Sequence, residues 1–240
     1  MSNPTAAMLV IGDEILSGRT RDTNTHFIAN ALTAQGIRLA EVRVVADDTA
    51  EIVAAVQGLS SKYDHLFTSG GIGPTHDDIT ADAVAQAFGQ NITHRADAMA
   101  LLAAHYERQG SEFNAARQRM ARIPDGATLI ENPVSVAPGF SIKNCHVMAG
   151  VPKVFEAMVA SVVPLLVGGA PLVTQNLRLM MGEGTIAQGF GTLAAKYPDL
   201  SMGSYPFTQD GSFGTNLVIR GTDAAQVSEA MARLTEMFAA

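Results

Sequence analysis

The sequence predicts an α/β fold: a three-layer, open and mostly parallel sheet, followed by a small C-terminal α+β domain of βαββα order. The continuous apolar run Ala6–Ile11 is typical of a strand buried on both faces of a parallel sheet. A strand, a glycine-rich loop and a helix follow one another between residues 63 and 88. The glycine- and proline-containing stretch 167–171 then marks a boundary. We therefore expect domains at residues 1–168 and 169–240.

A local sequence pattern predicts each helix and strand of the large domain. Apolar residues at helical spacing predict a helix over 25–35, which Gly36 ends. Alternating apolar and polar residues over 37–45 favour a strand nearer the sheet edge. The remaining predictions are a helix at 50–59, a strand at 63–68, helices at 81–88 and over 92–122, a strand at 128–130, a hairpin over 141–148 and a helix at 154–166.

The small domain reads as two helices and three strands. The predictions are a strand at 174–181, a helix at 185–196, strands at 200–205 and 215–220, and a helix at 224–238. Gly203–Pro206 and Asp210-Gly211 have the composition of turns. No charged constellation marks this domain, so we expect a docking or dimerising role.

Composition excludes several classes of protein. The 240 residues are 47% hydrophobic and 16% charged, which favours a large core over disorder. The formal charge of −7 and the lack of a basic cluster argue against a nucleic-acid partner. A single cysteine, Cys145, excludes an internal disulfide and is expected in a half-buried strand. We see no signal peptide and no apolar run long enough for a membrane span, so a cytoplasmic location is expected.

The glycine-rich loop is the strongest functional signal. Gly70, Gly71 and Gly73 lie between a strand and a helix, where a tight turn and the helix N-terminus suit a phosphate. Asp77 and Asp78 lie at the same helix end. One of them could simply cap the helix. Two carboxylates beside a phosphate are better explained by a divalent cation between them.

Two further acidic pairs follow predicted strands. Asp13 and Glu14 come directly after Gly12, and Asp47 and Asp48 follow the second strand. Because ligands bind outside the carboxyl ends of parallel strands, these acids can meet the glycine loop. An acidic surface loop is the alternative for the first pair. Capping of the next helix by Asp48 is the alternative for the second.

Three motifs together resemble the molybdopterin-binding (MoCF) domain, and most closely the N-terminal region of CinA proteins. They are residues 70–80 (GGIGPTHDDIT), residues 12–18 (GDEILSG), and Asn132 with residues 137–139 (APG). The resemblance covers residues 6–167, and the tail resembles the small domain that follows in CinA proteins. The amidase domain of full-length CinA proteins lies beyond this similarity, so deamidase activity is not expected.

The resemblance implies metal-dependent hydrolysis of the pyrophosphate in ADP-ribose or FAD, or binding and adenylylation of molybdopterin. It matches the family's important aspartates to Asp47 and Asp78, which we expect to be catalytic. Expected metal ligands for Mg²⁺, Mn²⁺ or Co²⁺, with K⁺ as a further candidate, are Asp13, Glu14, Asp77 and Asp78. Expected phosphate or ligand contacts are Gly12, Asn24, Ser69, Gly70, Gly71, Gly73, Thr75, Pro138 and Gly139.

Three functions remain open at this point. The first is a dinucleotide pyrophosphatase, the second a molybdopterin-binding or adenylyl-transferring protein, and the third a non-catalytic nucleotide-binding regulatory module. All three take a phosphate-containing small molecule, and the family implies a homo-oligomer. The acidic loops count against the third function, because a pure binder has no evident need for them.

Overall fold

A computed structural model describes residues 3–238 and divides the chain into two compact units, one ending at Gly169 and the other beginning at Ala170. The elements of the first unit are, in order, β1 (Thr5–Ile11), α1 (Asp13–Leu16), α2 (Asn24–Ala34), β2 (Arg38–Val45), α3 (Thr49–Lys62), β3 (His65–Ser69), α4 (Thr80–Phe88), β4 (Ile92–His94), α5 (Ala96–Arg108), α6 (Ala115–Gln118), β5 (Arg122–Pro124), β6 (Thr128–Ile130), β7 (Gly139–Ile142), β8 (Cys145–Met148) and α7 (Pro152–Val162). Those of the second are β9 (Val173–Leu179), α8 (Glu183–Lys196), β10 (Ser201–Gln209), β11 (Ser212–Gly221) and α9 (Ala224–Phe238).

The predicted open and mostly parallel sheet is confirmed. Its six strands have the order β2-β1-β3-β8-β7-β6. The pairs β1–β2, β1–β3 and β3–β8 are parallel, whereas β7 pairs antiparallel with both β6 and β8. Parallel pairing brings the carboxyl ends of β1, β2 and β3 to one edge of the sheet. The loops that follow these strands therefore meet at that edge.

Alternating side chains of β1 point into two separate cores. Leu9 and Ile11 join a cluster formed with α3, α4 and α5. Met8 and Val10 join a second cluster formed with α2 and α7. Helices thus cover both faces of the sheet, which explains why β1 is apolar from Ala6 to Ile11. Cys145, expected to be half-buried, is fully buried in the first cluster.

The prediction of continuous helix over 92–122 was wrong at both ends. Residues Ile92–His94 and Arg122–Pro124 form a small antiparallel pair, β4–β5, on either side of the helical segments. Three-residue strands are too short to show alternation, and the strong helical pattern of α5 conceals them. Near the N-terminus, Asp13–Leu16 forms a short helix, where an acidic surface loop was the alternative expectation.

The second unit has the predicted βαββα order. Its antiparallel sheet, β10-β11-β9, shares one apolar cluster with α8 and α9. The turn predicted at Gly203–Pro206 was wrong, because these residues lie within β10. β10 is an edge strand, and edge strands are the positions in a sheet where proline is tolerated. The turn at Asp210-Gly211 is confirmed, with φ of 50° and 77°.

Within residues 3–238, no helix combines the length and the apolar character that crossing a membrane requires.

Candidate functional site

The glycine loop after β3 lies between the ends of β1 and β8. A Cβ on Gly70 would lie 2.1 Å from the carbonyl oxygen of Ile11, and Gly70 has a φ of +110°. A Cβ on Gly71 would lie 2.1 Å from Thr80 Oγ1, at a φ of +68°. The N–H of Gly70 also donates to the Met148 carbonyl at 3.2 Å. Both positions therefore require glycine to close the loop against its neighbours.

A cavity of about 510 Å³ opens beside this loop. Most of its wall is backbone or apolar, but the carboxylates of Glu14 and Asp78 also line it. None of the described residues along the wall is a lysine, arginine or histidine. The lining consists of Glu14, Thr20, Gly70, Gly71, Ile72, Gly73, Pro74, Asp78, Met120, Asn132, Ser135, Ala137, Ala149, Gly150, Val151, Pro152 and Val154. The sequence-predicted residues Gly70, Gly71, Gly73, Glu14 and Asp78 are thus brought together.

One helix begins in the cavity wall, and another begins two residues after Asp78, which also lines the cavity. α7 begins at Pro152 and α4 at Thr80, and neither has a side-chain hydrogen bond from its N-cap residue. Val151 and Pro152 form part of the cavity wall, and Gly71 accepts a hydrogen bond from the Thr80 N–H at 3.0 Å. The partial positive charge of such helix ends favours a bound anion. The site therefore offers an anion fixed dipoles rather than basic side chains.

Asp78 is held in place by its own loop. One carboxylate oxygen, Oδ2, accepts hydrogen bonds from the N–H and the hydroxyl of Thr75, at 2.7 Å and 2.5 Å. The Arg119 guanidinium donates to the main-chain oxygen of Asp78 at 3.2 Å. Thr75, which the sequence suggested as a phosphate donor, thus directs both donors to Asp78. The second oxygen of Asp78 has no hydrogen bond among those found in the described chain.

Asp47 lies at the end of β2, among other acids. Its Oδ2 accepts a hydrogen bond from the Asp13 N–H at 3.0 Å. Burial raises the pKa of Asp47, and the negative charges of Asp13, Glu14 and Asp77 raise it further. The neighbouring Asp48 instead caps α3 by accepting from two backbone N–H groups. The capping alternative is confirmed for Asp48, whereas Asp47 does not cap α3 and lies outside the cavity wall.

The acids predicted as metal ligands do not form a complete protein cage. Asp13, Glu14 and Asp77 lie near Asp47, whereas Glu14 and Asp78 line the cavity. Over residues 3–238, no group of three histidine, cysteine, aspartate or glutamate side chains is arranged to hold a metal ion. Mg²⁺ is commonly held by one or two carboxylates together with substrate phosphates, so the donors present fit that mode.

Six predicted ligand residues lie outside the cavity wall: Gly12, Asn24, Ser69, Thr75, Pro138 and Gly139. The buried Asn24 amide donates to Ser69 Oγ at 2.7 Å and to the Gly150 carbonyl at 2.8 Å. A Cβ on Gly139 would lie 2.4 Å from the Val147 carbonyl oxygen. Asn24 and Ser69 line a smaller pocket that shares Glu14, Thr20, Gly150 and Pro152 with the cavity wall.

Several wall residues were missed by sequence reasoning. Asn132 organises one wall by donating to Ser135 Oγ at 2.6 Å and to the Ala137 carbonyl at 2.8 Å. The position of Asn132 in the motif at 132–139 was the sequence feature that could have identified it as a wall residue. Met120 and Val151 carried no such feature, because an apolar residue in a loop looks the same whether it lines a cavity or a core.

Comparison with known proteins shows the family to which the chain belongs. Residues 7–167 match a family model described as a probable molybdopterin binding domain, and residues 171–240 match one described as the middle domain of FAD synthase. A "Probable FAD synthase" of Caenorhabditis elegans is 32% identical over 252 residues, covering 95% of this chain and 48% of that protein. A "CinA-like protein" of Geobacter metallireducens is 36% identical over 216 residues, covering 85% of this chain and 52% of that protein.

A solved structure shares the fold of the first unit. It is a CinA protein of unknown function from Thermoplasma acidophilum, with 36% identity and a TM-score of 0.61, covering 67% of this chain and 96% of that one. The chain spans about half the length of most of the curated relatives it matches. Because the family model matches residues 7–167, which is more than half of the chain, the chain belongs to the molybdopterin-binding domain family. Its relatives include CinA-like proteins.

Proposed function

We propose that the protein hydrolyses the pyrophosphate of a dinucleotide, such as ADP-ribose or FAD, with the help of a divalent metal ion. The carrying observation is the charge of the cavity: Glu14 and Asp78 line it, and the described wall holds no basic side chain. A bare pyrophosphate would meet repulsion from both carboxylates. A cation between the carboxylates and the phosphates turns that repulsion into attraction.

The residues then have distinct tasks. The N-terminal ends of α4 and α7 favour the phosphate negative charge, and the glycine loop lets backbone approach it closely. Glu14 and Asp78, with Asp13 and Asp77 nearby, would hold Mg²⁺, Mn²⁺ or Co²⁺. Such an ion polarises a phosphoryl oxygen when it is bound. Thr75 and Arg119 keep Asp78 in position.

Asp47 is the proposed general base. Its raised pKa makes its carboxylate a better proton acceptor than an exposed aspartate. In the reaction, the oxygen of a water molecule bonds to one phosphorus, and Asp47 accepts the proton. The bond from that phosphorus to the bridging oxygen breaks, and the bridging oxygen leaves with the other phosphate. The products are AMP and a second monophosphate, FMN from FAD or ribose 5-phosphate from ADP-ribose.

The choice of dinucleotides rests on the wall and on the relatives. Ile72, Met120, Val151 and Pro152 give the cavity an apolar side that suits the flat face of a base or flavin ring. The second unit matches the FAD synthase middle domain, and one relative covering nearly the whole chain is named as a probable FAD synthase. FAD is therefore tested beside ADP-ribose.

The test is a chromatographic assay of AMP release from FAD and ADP-ribose, with each metal and with EDTA. Asp78→Asn removes the charge yet keeps an oxygen to accept from Thr75, so the loop is expected to stay folded. Turnover should need metal and fall by about a hundredfold or more in this variant. Asp125→Asn, at an exposed acid in a turn, is the matched control and should keep full activity. Full activity in Asp78→Asn would refute the metal assignment.

The second candidate is a molybdopterin-binding or adenylyl-transferring protein. The family model that matches residues 7–167 favours it. It predicts that molybdopterin binds and that neither dinucleotide is hydrolysed at saturating metal. Titration with molybdopterin, followed by fluorescence, separates this outcome from the pyrophosphatase. Binding of a dinucleotide without turnover would instead indicate a regulatory module.

A further inference from the structure

β2 is the terminal strand of the large sheet and has an open edge. It spans eight residues, and β1 is its single neighbour in the described sheet. Val42 and Val44 are 43% and 39% exposed, although neither side chain is polar. An edge strand of this length with exposed valines is a template for pairing with another strand.

The backbone of β2 is oriented for such pairing. The Val45 carbonyl accepts a hydrogen bond from the Gly12 N–H, so the polar backbone groups of Val45 face the β1 side. These groups alternate in direction along a strand. The N–H and C=O groups of Val42 and Val44 therefore point away from β1, toward the open edge.

The charges on the opposite face of β2 are self-complementary. Glu41 and Arg43 flank Val42, and the two side chains form an ion pair at 2.7 Å, with Arg43 42% exposed. Consider two copies of β2 paired antiparallel, with Val42 of one copy opposite Val42 of the other. Glu41 of each copy then lies opposite Arg43 of the other, which gives two ion pairs. Moving the two-fold axis to residue 43 or 41 would instead place Arg43 on Arg43 or Glu41 on Glu41. Opposite charges favour one register and like charges disfavour the nearest two.

We propose that a second copy of this chain docks along β2, antiparallel and centred on Val42, joining the two six-stranded sheets edge to edge. Val44 then lies opposite Ala40 of the second copy. The register of β2 with β1 shifts between Leu39 and Glu41, and this bulge ends the paired segment at Ala40. Because the segment is short, the buried area is small and the association is weak and concentration-dependent.

Sedimentation velocity over a concentration series tests the proposal on the full chain. Arg43→Glu places Glu41 opposite a glutamate and should weaken self-association by about tenfold, from two lost charge pairs and two new repulsions. Glu41→Arg should do the same with arginines. Mixing the two variants restores both pairs, so the mixture should associate more tightly than either variant does alone. Arg108→Glu, an exposed arginine at the end of α5, is the matched control.

Val42→Pro provides an independent variant. It removes an N–H that points to the open edge and leaves the β1–β2 ladder intact, so circular dichroism should be unchanged while the dimer is lost. This variant also covers the case in which Glu41→Arg unfolds, since Glu41 accepts from Lys62 and Tyr63. A wild-type chain that stays monomeric at every concentration, a dimer unaffected by Arg43→Glu, or folded charge variants that do not associate when mixed would each overturn the proposal.

Discussion

The buried imidazole of His146 is expected to make folding stability depend on pH. His146 lies on β8 with 6% of its surface exposed, and Nδ1 shares a hydrogen bond with Ser141 Oγ at 2.8 Å. Its Nε2 is buried, and the described residues offer it no partner. Burial is the main cause that lowers the pKa of His146 from 6.5 to about 4, and the nearby His65, with ring centroids 5.7 Å apart, is the smaller cause.

The sign and size of this pH dependence follow from the linkage between protonation of His146 and folding. The folded chain binds the proton less readily than the unfolded chain, because the pKa of His146 is lower when folded. The contribution to stability is therefore fully present above the unfolded pKa and is lost as pH falls toward the folded one. A shift of this size is worth about 3 kcal/mol over the whole window, and about 2 kcal/mol between about pH 7 and about pH 5.

Urea denaturation at both pH values measures this effect. The lowered pKa of His65 adds a loss in the same direction, so the wild type is compared with His146→Gln, which cannot become charged. The variant should lose about 2 kcal/mol less than the wild type on acidification. His76→Gln, at a side chain that is 99% exposed, should behave as the wild type does. Parallel curves for wild type and His146→Gln would refute the reasoning and indicate that water reaches Nε2.

Two further predictions concern the core and the glycine loop. Gly71→Ala should cost more than about 2 kcal/mol in denaturation, because the new methyl meets Thr80 Oγ1; Gly126→Ala, at a similar φ with nothing within 4 Å, should cost only about 1 kcal/mol. Equal losses would show that Thr80 moves aside. Cys145 should resist alkylation until the protein unfolds, since complete burial raises the pKa of its thiol; fast labelling of native protein would contradict that placement.

Sequence pattern was sufficient where a local signal and the tertiary fold agree. β1 is apolar from Ala6 to Ile11 because helices cover both faces of the sheet, and three glycines mark the loop after β3. Strand ends in a parallel sheet share one edge, so the acids after β1 and β2 could be expected near that loop. The fold and the acidic edge of the site were both accessible by this reasoning.

Sequence patterns did not predict the features that depend on contacts between residues far apart in the chain. Nothing in the order of residues shows that Met120 reaches the cavity, or that the Asn24 amide donates to Ser69 and to the Gly150 carbonyl. The short strand β4 exists because β5 pairs with it from about thirty residues away, which no local window contains. Gly203–Pro206 has the residues of a turn, yet pairing with β11 holds it extended.

Two acids of the site make structural hydrogen bonds, but these do not explain why five acids lie close together. Asp78 fastens Thr75, and Asp47 accepts from the Asp13 N–H. Neutral acceptors such as asparagine could make these hydrogen bonds without repulsion. Instead the charges of Asp13, Glu14 and Asp77 raise the pKa of Asp47, which is an unfavourable interaction between the ionised groups. A cation bound with a phosphate would relieve that repulsion, and this supports a metal-dependent site over a simple anion-binding loop.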